Sequence, residues 1–340
     1  MSVRGGVRSL ISPLIALAAG FIVASLAILI SGGDPIASFQ AMFSSALGSP
    51  TAVGETLVKT IPLALTGLAV AIGLRAGLFN IGAEGQLLVG ALAAAWVGYA
   101  VSLPALIHIP LCLAAGVTGG ALWAFLPGIL RAKRGVHEVI TTIMLNYIAF
   151  YLTHYLVTTR MQDVATMAPQ TPEMHVTARL GMLAERSGLH WGILIAVLAV
   201  IGFRFMMSRS VFGYELRTVG LNPDAARTAG ISVPGTMVKA MLMSGALAGI
   251  AGAVEVMGVH HKFYDQFSPG YGFDSIAVAF LGNSAAIGTA FSALLFGALK
   301  NGAVGMQIVT DTPKEIVTII QAVVIVFAGL RCLRPGAGRR

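Results

Sequence analysis

The sequence predicts an all-α, polytopic integral membrane protein of about ten transmembrane helices, one of them short or broken, with both termini cytoplasmic. Three observations predict it. Hydrophobic residues make up 56% of the 340 and charged residues only 11%, with a mean hydropathy of +0.83. A soluble chain carries roughly a quarter charged residues, so this one lacks the polar surface to coat a globule in water. Long apolar runs recur from end to end, at lengths suited to about 30 Å of hydrocarbon. The basic residues are also unevenly shared. An N-terminus placed inside puts 15 of the 22 lysines and arginines inside and 7 outside, the bias expected of cytoplasmic loops.

The first run, "LISPLIALAAGFIVASLAILIS" at 10–31, follows Arg4 and Arg8. It is longer than the roughly 7–15 apolar residues of a signal peptide and reads as an uncleaved first helix. Further helices are expected at 56–75, 85–103, 105–130, 138–158, 189–207, 239–258, 273–282, 287–307 and 315–331. The eighth is too short to cross: at about 1.5 Å per residue it covers roughly half of the hydrocarbon. Such a half-helix is tolerable only where protein surrounds it. The whole chain, 1–340, reads as one transmembrane domain with an external loop at 159–188 and a cytoplasmic loop at 208–238. Each loop is too small for a core of its own.

Several function classes are excluded. The net charge of +8 comes without a basic run interleaved with aromatics, so no nucleic-acid partner is expected. Cys112 and Cys332 form neither a disulfide framework nor a metal site. No H-E-x-x-H or G-x-S-x-G occurs, and no catalytic residue is assigned. No G-x-x-x-x-G-K-[ST] phosphate loop occurs either; ATP-driven work would need ATPase on another chain, and this one is expected to bind no cofactor.

Polar groups inside the apolar runs are the candidate functional residues. "AGLFNIGAEGQ" at 76–86 sets Asn80, Glu84 and Gln86 among three glycines. The glycines permit a helix break, and a broken helix inside protein exposes ends that can bind polar solutes. Two readings stay open: a hinge whose polar groups satisfy a sharp turn, or direct contact with a solute rich in hydroxyls or ring nitrogens. Glu84 either accepts from solute hydroxyls or pairs with a basic residue such as Arg75, and the pairing is favoured. Asn146 either joins helices or lines a path, and Asn283 either caps the short eighth element or meets solute. Asp274 is expected to cap or open that element. Glu255 is an intramembrane acid and so a functional candidate. Phe79, Tyr147, Phe150 and Tyr151 either pack or stack on a base or sugar ring. His260, His261 and Lys262 suit an external rim, and Gly245, Gly249 and Gly252 close helix packing.

The inner loop contains "LNPDAARTAGI". Asn222 is an N-cap, Pro223 suits the first helical position and Asp224 the positive end of the dipole. Gly230 can close the helix, and Pro234 is expected to stop any continuation. This two-turn helix is either a connector on lipid headgroups or a dock for a soluble partner.

"GLRAGLFNIGAEGQLLVGA" at 73–91, "RAKRGVHEVITTIMLNYIA" at 131–149, "VGLNPDAARTAGI" at 219–231 and "FDSIAVAFLGNSAAIGTAFSALLFGALKNGA" at 273–303 carry a resemblance. The chain resembles the permease subunits of bacterial ABC importers, in the family that includes ribose, xylose and branched-chain amino-acid permeases, and within it the nucleoside and simple-sugar branch. The resemblance covers nearly the whole chain. It implies a multi-pass protein of the inner membrane that carries nucleosides or simple sugars. It also implies a second, different permease subunit, cytoplasmic ABC ATPases holding ATP-Mg, and an external substrate-binding lipoprotein. The segment with Gly220, Asn222, Pro223, Ala226, Arg227 and Gly230 would be the coupling helix. The rival from the residues alone is a secondary transporter driven by an ion gradient, disfavoured because its ionisable candidates are few and near span ends.

Overall fold

The structure, a computed structural model, describes residues 18–332. Residues 10–17 of the expected first helix, and the terminal arginines used to orient the chain, lie outside the described residues. The chain is almost wholly helical. Its helices are α1 (Ala18–Ile30), α2 (Pro35–Leu47), α3 (Pro50–Arg75), α4 (Ala83–Ala100), α5 (Ala105–Arg134) and α6 (Glu138–Thr158). Then come α7 (Gly192–Arg209), α8 (Val211–Leu221), α9 (Pro223–Thr228), α10 (Val233–Glu255), α11 (Tyr271–Leu281), α12 (Ala286–Thr310) and α13 (Glu315–Cys332). Between α6 and α7 lie two short antiparallel strands, β1 (Met182–Ala184) and β2 (Leu189–His190).

Among the described residues, six helices are long and apolar enough to cross a membrane: α3, α5, α6, α7, α10 with its continuation to His260, and α12. They do not share the surface equally. In its most apolar stretch α3 is 78% buried and α10 67%, whereas α5 and α7 are 22% buried. The first pair is the centre of the bundle. The second pair turns side chains such as Leu106, Leu122, Leu198 and Phe205 outward, which is how a helix facing hydrocarbon is built.

Two helices were not foreseen. α2 occupies a stretch too polar and too short to read as a span, but Asp34 accepts from the Ile36 amide and Pro35 sits at the first helical position. The same grammar, Ser49 then Pro50, starts α3 six residues before the expected 56. α8 fills the first part of the inner loop, capped by Ser210 on the Gly213 amide. Pro234 corrects an expectation: it lies in the first turn of α10 and helps start that helix instead of stopping α9. Lys59 and Lys300, two of the seven basic residues counted outside, lie within α3 and α12, as the expected helices 56–75 and 287–307 place them. The segment expected to begin a helix at 189 opens instead with β2.

α10 runs along α4 and α5 with backbone nearly touching backbone. A methyl group added at Gly249 would overlap the Gly116 carbonyl, and one at Gly120 would overlap the Gly245 carbonyl. Small residues permit this approach, and dispersion rewards it. The glycine run is therefore the packing surface the sequence suggested. α3 packs on its other sides against α11 and α12.

α11 is the short element. Its course follows α3: Val278 lies against Gly67, and Arg75 at the end of α3 donates to the carbonyls of Asn283 and Ser284, each at 3.1 Å. α11 thus occupies the half of the bundle nearest the α8 end. The chain reaches it from a π turn at Val256–His260 and a loop at 261–270. Segment 159–191 ties that loop down. Thr171 N donates to Phe263 O (2.8 Å), Met174 N to His261 O (2.8 Å) and Asp265 N to Pro169 O (2.9 Å).

Gly249→Leu is expected to cost at least about 1–3 kcal/mol of stability by overpacking the α5–α10 contact. Gly202→Leu, on the exposed face of α7 with open space around it, should leave thermal unfolding of the detergent-solubilised protein unchanged. Equal melting of the two variants would contradict the packing described.

Candidate functional site

Two helices, α4 and α11, begin within the bundle, with Gly82 and Ala83 buried at the start of one and Tyr271 and Gly272 at the start of the other. Neither has a side-chain cap at its own N-cap residue, which is Gly82 for α4 and Gly270 for α11. An unpaired helix start in an apolar interior costs several kcal/mol per group. The polar residues of 76–86 resolve this.

Asn80 is 1% exposed and uses both ends of its amide. Its Oδ1 accepts from the Gly82 amide (2.9 Å) and from Gln86 Nε2 (3.1 Å). Its Nδ2 donates to Gln86 Oε1 (2.9 Å) and to Ser244 Oγ (2.8 Å). Ser244 in turn donates to Ala69 O (2.6 Å). The loop between α3 and α4 is thereby fastened to α10 and back to α3. Asn146 of α6 supplies a second clasp: Oδ1 accepts from the Gly85 amide (2.9 Å) and Nδ2 donates to Ile81 O (3.0 Å).

Glu84, expected to pair with Arg75, does something else. Its Oε2 accepts from the Gly272 amide of α11 at 2.6 Å. A carboxylate is well suited to a helix N-terminus, so α4 caps α11 from the side. Arg75 is spent on the carbonyls after α11. The turn there needs them: Asn283 (φ 53) and Ser284 (φ 49) are both left-handed. Asn283 is exposed, and Gly282 takes the cap position assigned to it. Asp274 lies in the first turn of α11 and pairs with Lys300 Nζ (2.6 Å). Glu255, 4% exposed, lies 3.6 Å from His260 Nε2 and accepts from the Tyr271 hydroxyl at 3.5 Å.

Sequence reading missed Ser244 and Glu138. Ser244 sits in a glycine-rich run and meets Asn80 across 164 positions, so no local signal announces it. Glu138 accepts from the Phe79 amide (3.2 Å) and pairs with Arg131 (3.2 Å). The Phe79 ring packs on Phe280 of α11.

At the α8 end, α9 is built as its sequence foretold. Asn222 Oδ1 accepts from the amides of Asp224 (2.9 Å) and Ala225 (3.1 Å). Pro223 takes the first position, and Gly230 is left-handed (φ 78) beyond the end. Ala226 is fully buried against Val219 and Val233, pinning α9 between α8 and α10. Arg227 and Asp224 point outward and pair at 2.8 Å, an exposed contact of little energetic weight. Gly220 presses on the far end of the site: a methyl group there would overlap the Arg75 carbonyl and crowd Gly77. Gly77 is itself left-handed (φ 73). A displacement of α8 and α9 thus meets the α3–α4 break directly.

Asn146→Ala and Asn80→Ala are each expected to destabilise by roughly 1–3 kcal/mol, because partners are left buried and unpaired. Asn80→Ala and Gln86→Ala should be non-additive in a double-mutant cycle; simple additivity of their unfolding shifts would count against the network. Among the described residues, no group of three or more His, Cys, Asp or Glu side chains is set to hold a metal.

Residues 52–329 match the family described as branched-chain amino acid transport system / permease component. The chain is 43% identical to a guanosine ABC transporter permease of Bacillus subtilis, covering 94% of this chain and 92% of that protein. It is 38% identical to a nucleoside ABC transporter permease of Lactococcus lactis (95% and 92% covered) and 38% identical to a glucose ABC transporter permease of Haloferax volcanii (93% and 86%). In the two bacteria a second nucleoside or guanosine permease matches more distantly, at 27% identity over 74% and 72% of this chain. The chain is a multi-pass membrane transport component and belongs to the family of branched-chain amino acid transport system permeases.

Proposed function

We propose that this chain is a permease subunit of an ATP-binding-cassette importer whose substrates are nucleosides, with simple sugars second. It crosses the inner membrane about ten times with both termini cytoplasmic. It pairs with a second, related permease chain, as the occurrence of two such relatives in one bacterium supports. A separate ABC ATPase holds ATP-Mg beneath α8 and α9, and a lipoprotein delivers substrate on the side of segment 159–191. No ATPase site of its own is assigned to the chain.

The observation that carries the reading is α9. It is a capped helix pinned by one buried alanine, with Asp224 and Arg227 outward, and it follows directly on α8, whose Leu221 is exposed and whose Gly220 is seated on the base of the α3–α4 break. A short rigid helix held at both ends transmits a push that a floppy loop would absorb. ATP-driven closure of the partner ATPases moves α9, and α8 passes that motion to the break. The helix ends held by Asn80, Glu84, Gln86 and Asn146 then shift as one body between two states of the path. ATP supplies the differential energy such a change needs. Asn283 is the exposed member of the path set.

Cells carrying the whole operon should lose uptake of radiolabelled nucleosides when this chain is removed, and keep it when the proton gradient is collapsed with ATP maintained. Uptake that dies with the gradient would identify a secondary carrier instead. Arg227→Glu and Ala226→Pro should insert in the membrane yet fail to retain the ATPase during purification. Normal retention and uptake in both would refute the docking role of α9.

A further inference from the structure

A groove of about 500 Å³ opens on the outer surface between α6 and loop 261–270, within the range of roughly 300–1,000 Å³ usual for small-molecule sites. One wall is a single face of α6: Tyr147, Phe150, Tyr151 and His154, spaced so that all four project together. The other wall brings Asp265, Gln266 and Ser268. A face built only for hydrocarbon has no use for a carboxylate. Here the Asp265 side chain is 18% exposed and its Oδ2 lies 2.9 Å from His154 Nδ1. Oδ1 makes no hydrogen bond among the described residues and remains available to accept one.

The polar wall is also held rigid. Asp265 N bonds to Pro169 O, and Tyr264 bridges to Gln170. Gln266 is kept in the left-handed region (φ 56), a conformation that a glutamine adopts only when its surroundings impose it. The same loop continues to Gly272, where Glu84 caps α11. The groove therefore adjoins the segment that leads into the centre of the bundle.

We infer that this groove is an entry subsite for a nucleoside, the base stacking on the α6 tyrosines and Asp265 Oδ1 accepting from a ribose hydroxyl or an N–H of the base. The inference rests on the proposed function, from which it takes the class of solute. The chemistry selects a base-bearing solute over a bare pentose. Three aromatic rings offer π faces, which every base can use, and a bare pentose has no π face to set against them.

A separate binding protein would govern uptake at low substrate, so direct labelling is the test. The assembled transporter, reconstituted without its binding protein, is photolabelled with 8-azidoadenosine and digested. Label is expected on the peptide carrying residues 147–154, competed by guanosine and not by ribose. Tyr147→Leu with Tyr151→Leu should reduce it about tenfold or more, given the strength of base–aromatic stacking. Tyr147→Phe with Tyr151→Phe should restore it. Asp265→Leu, which removes the acceptor, should weaken competition by guanosine, and Tyr155→Leu, exposed on α6 outside the groove, should change nothing. Label elsewhere, in a transporter that carries nucleosides once its binding protein is added back, would overturn the subsite. So would loss of permease pairing in the leucine variants, which would make this face a subunit contact. A wild-type transporter that carries no nucleoside even when its binding protein is restored would instead overturn the proposed function.

Discussion

Two helix N-termini buried in an apolar bundle must find hydrogen-bond acceptors from other helices. That requirement organises the centre of this protein. A soluble helix borrows water or caps itself with the residue before its first turn. α4 and α11 have glycine at the N-cap and no side-chain cap there; Asn80 and Ser268, two residues earlier, accept from the first amides, and other helices supply the rest. Asn146 of α6 and Asn80 of the preceding loop serve α4, and Glu84 of α4 serves α11. The Asn146 and Glu84 caps cross between helices, so removing either loosens two. In hydrocarbon the alternative is an unsatisfied amide, which makes the arrangement close to obligatory.

Close helix approach makes these short bonds reachable. Asparagine and serine side chains are short, and Asn80 reaches Ser244 only because α4 and α10 lie nearly backbone to backbone. The glycines of α5 and α10 thus serve the polar network as well as the packing. Larger residues there would separate the helices and leave the amides unpaired, so the apolar and polar parts of the core depend on one another.

The same geometry gives the break between α3 and α4 a mechanical meaning. Its lower end is Gly77, against which Gly220 of α8 is seated, and its upper end is the cap on α11. A loop with free amides would bend under a push. A loop whose Phe79 amide and Ile81 carbonyl are bonded to α6, whose Asn80 side chain donates to α10, and which leads into the Glu84 cap on α11, moves those helices with it. Interfaces of this kind shift between discrete packings more readily than they deform.

The amino-acid sequence by itself determined the class of protein, most helix positions, the short α11 and the build of α9. These follow from properties carried along the chain: apolar length against membrane thickness, Asn and Pro at a helix start, Gly at its end. It marked 76–86 as unusual for the same reason, since hydrocarbon tolerates no stray Asn, Glu or Gln. What those residues touch was decided by tertiary structure alone. Glu84 had an obvious local partner in Arg75, yet binds an amide 188 positions away, and Asn80 closes on a serine 164 positions distant. Local pattern reports which groups need a partner. Which partner they find depends on how closely the helices pack and which ends meet, and neither is written within any one segment.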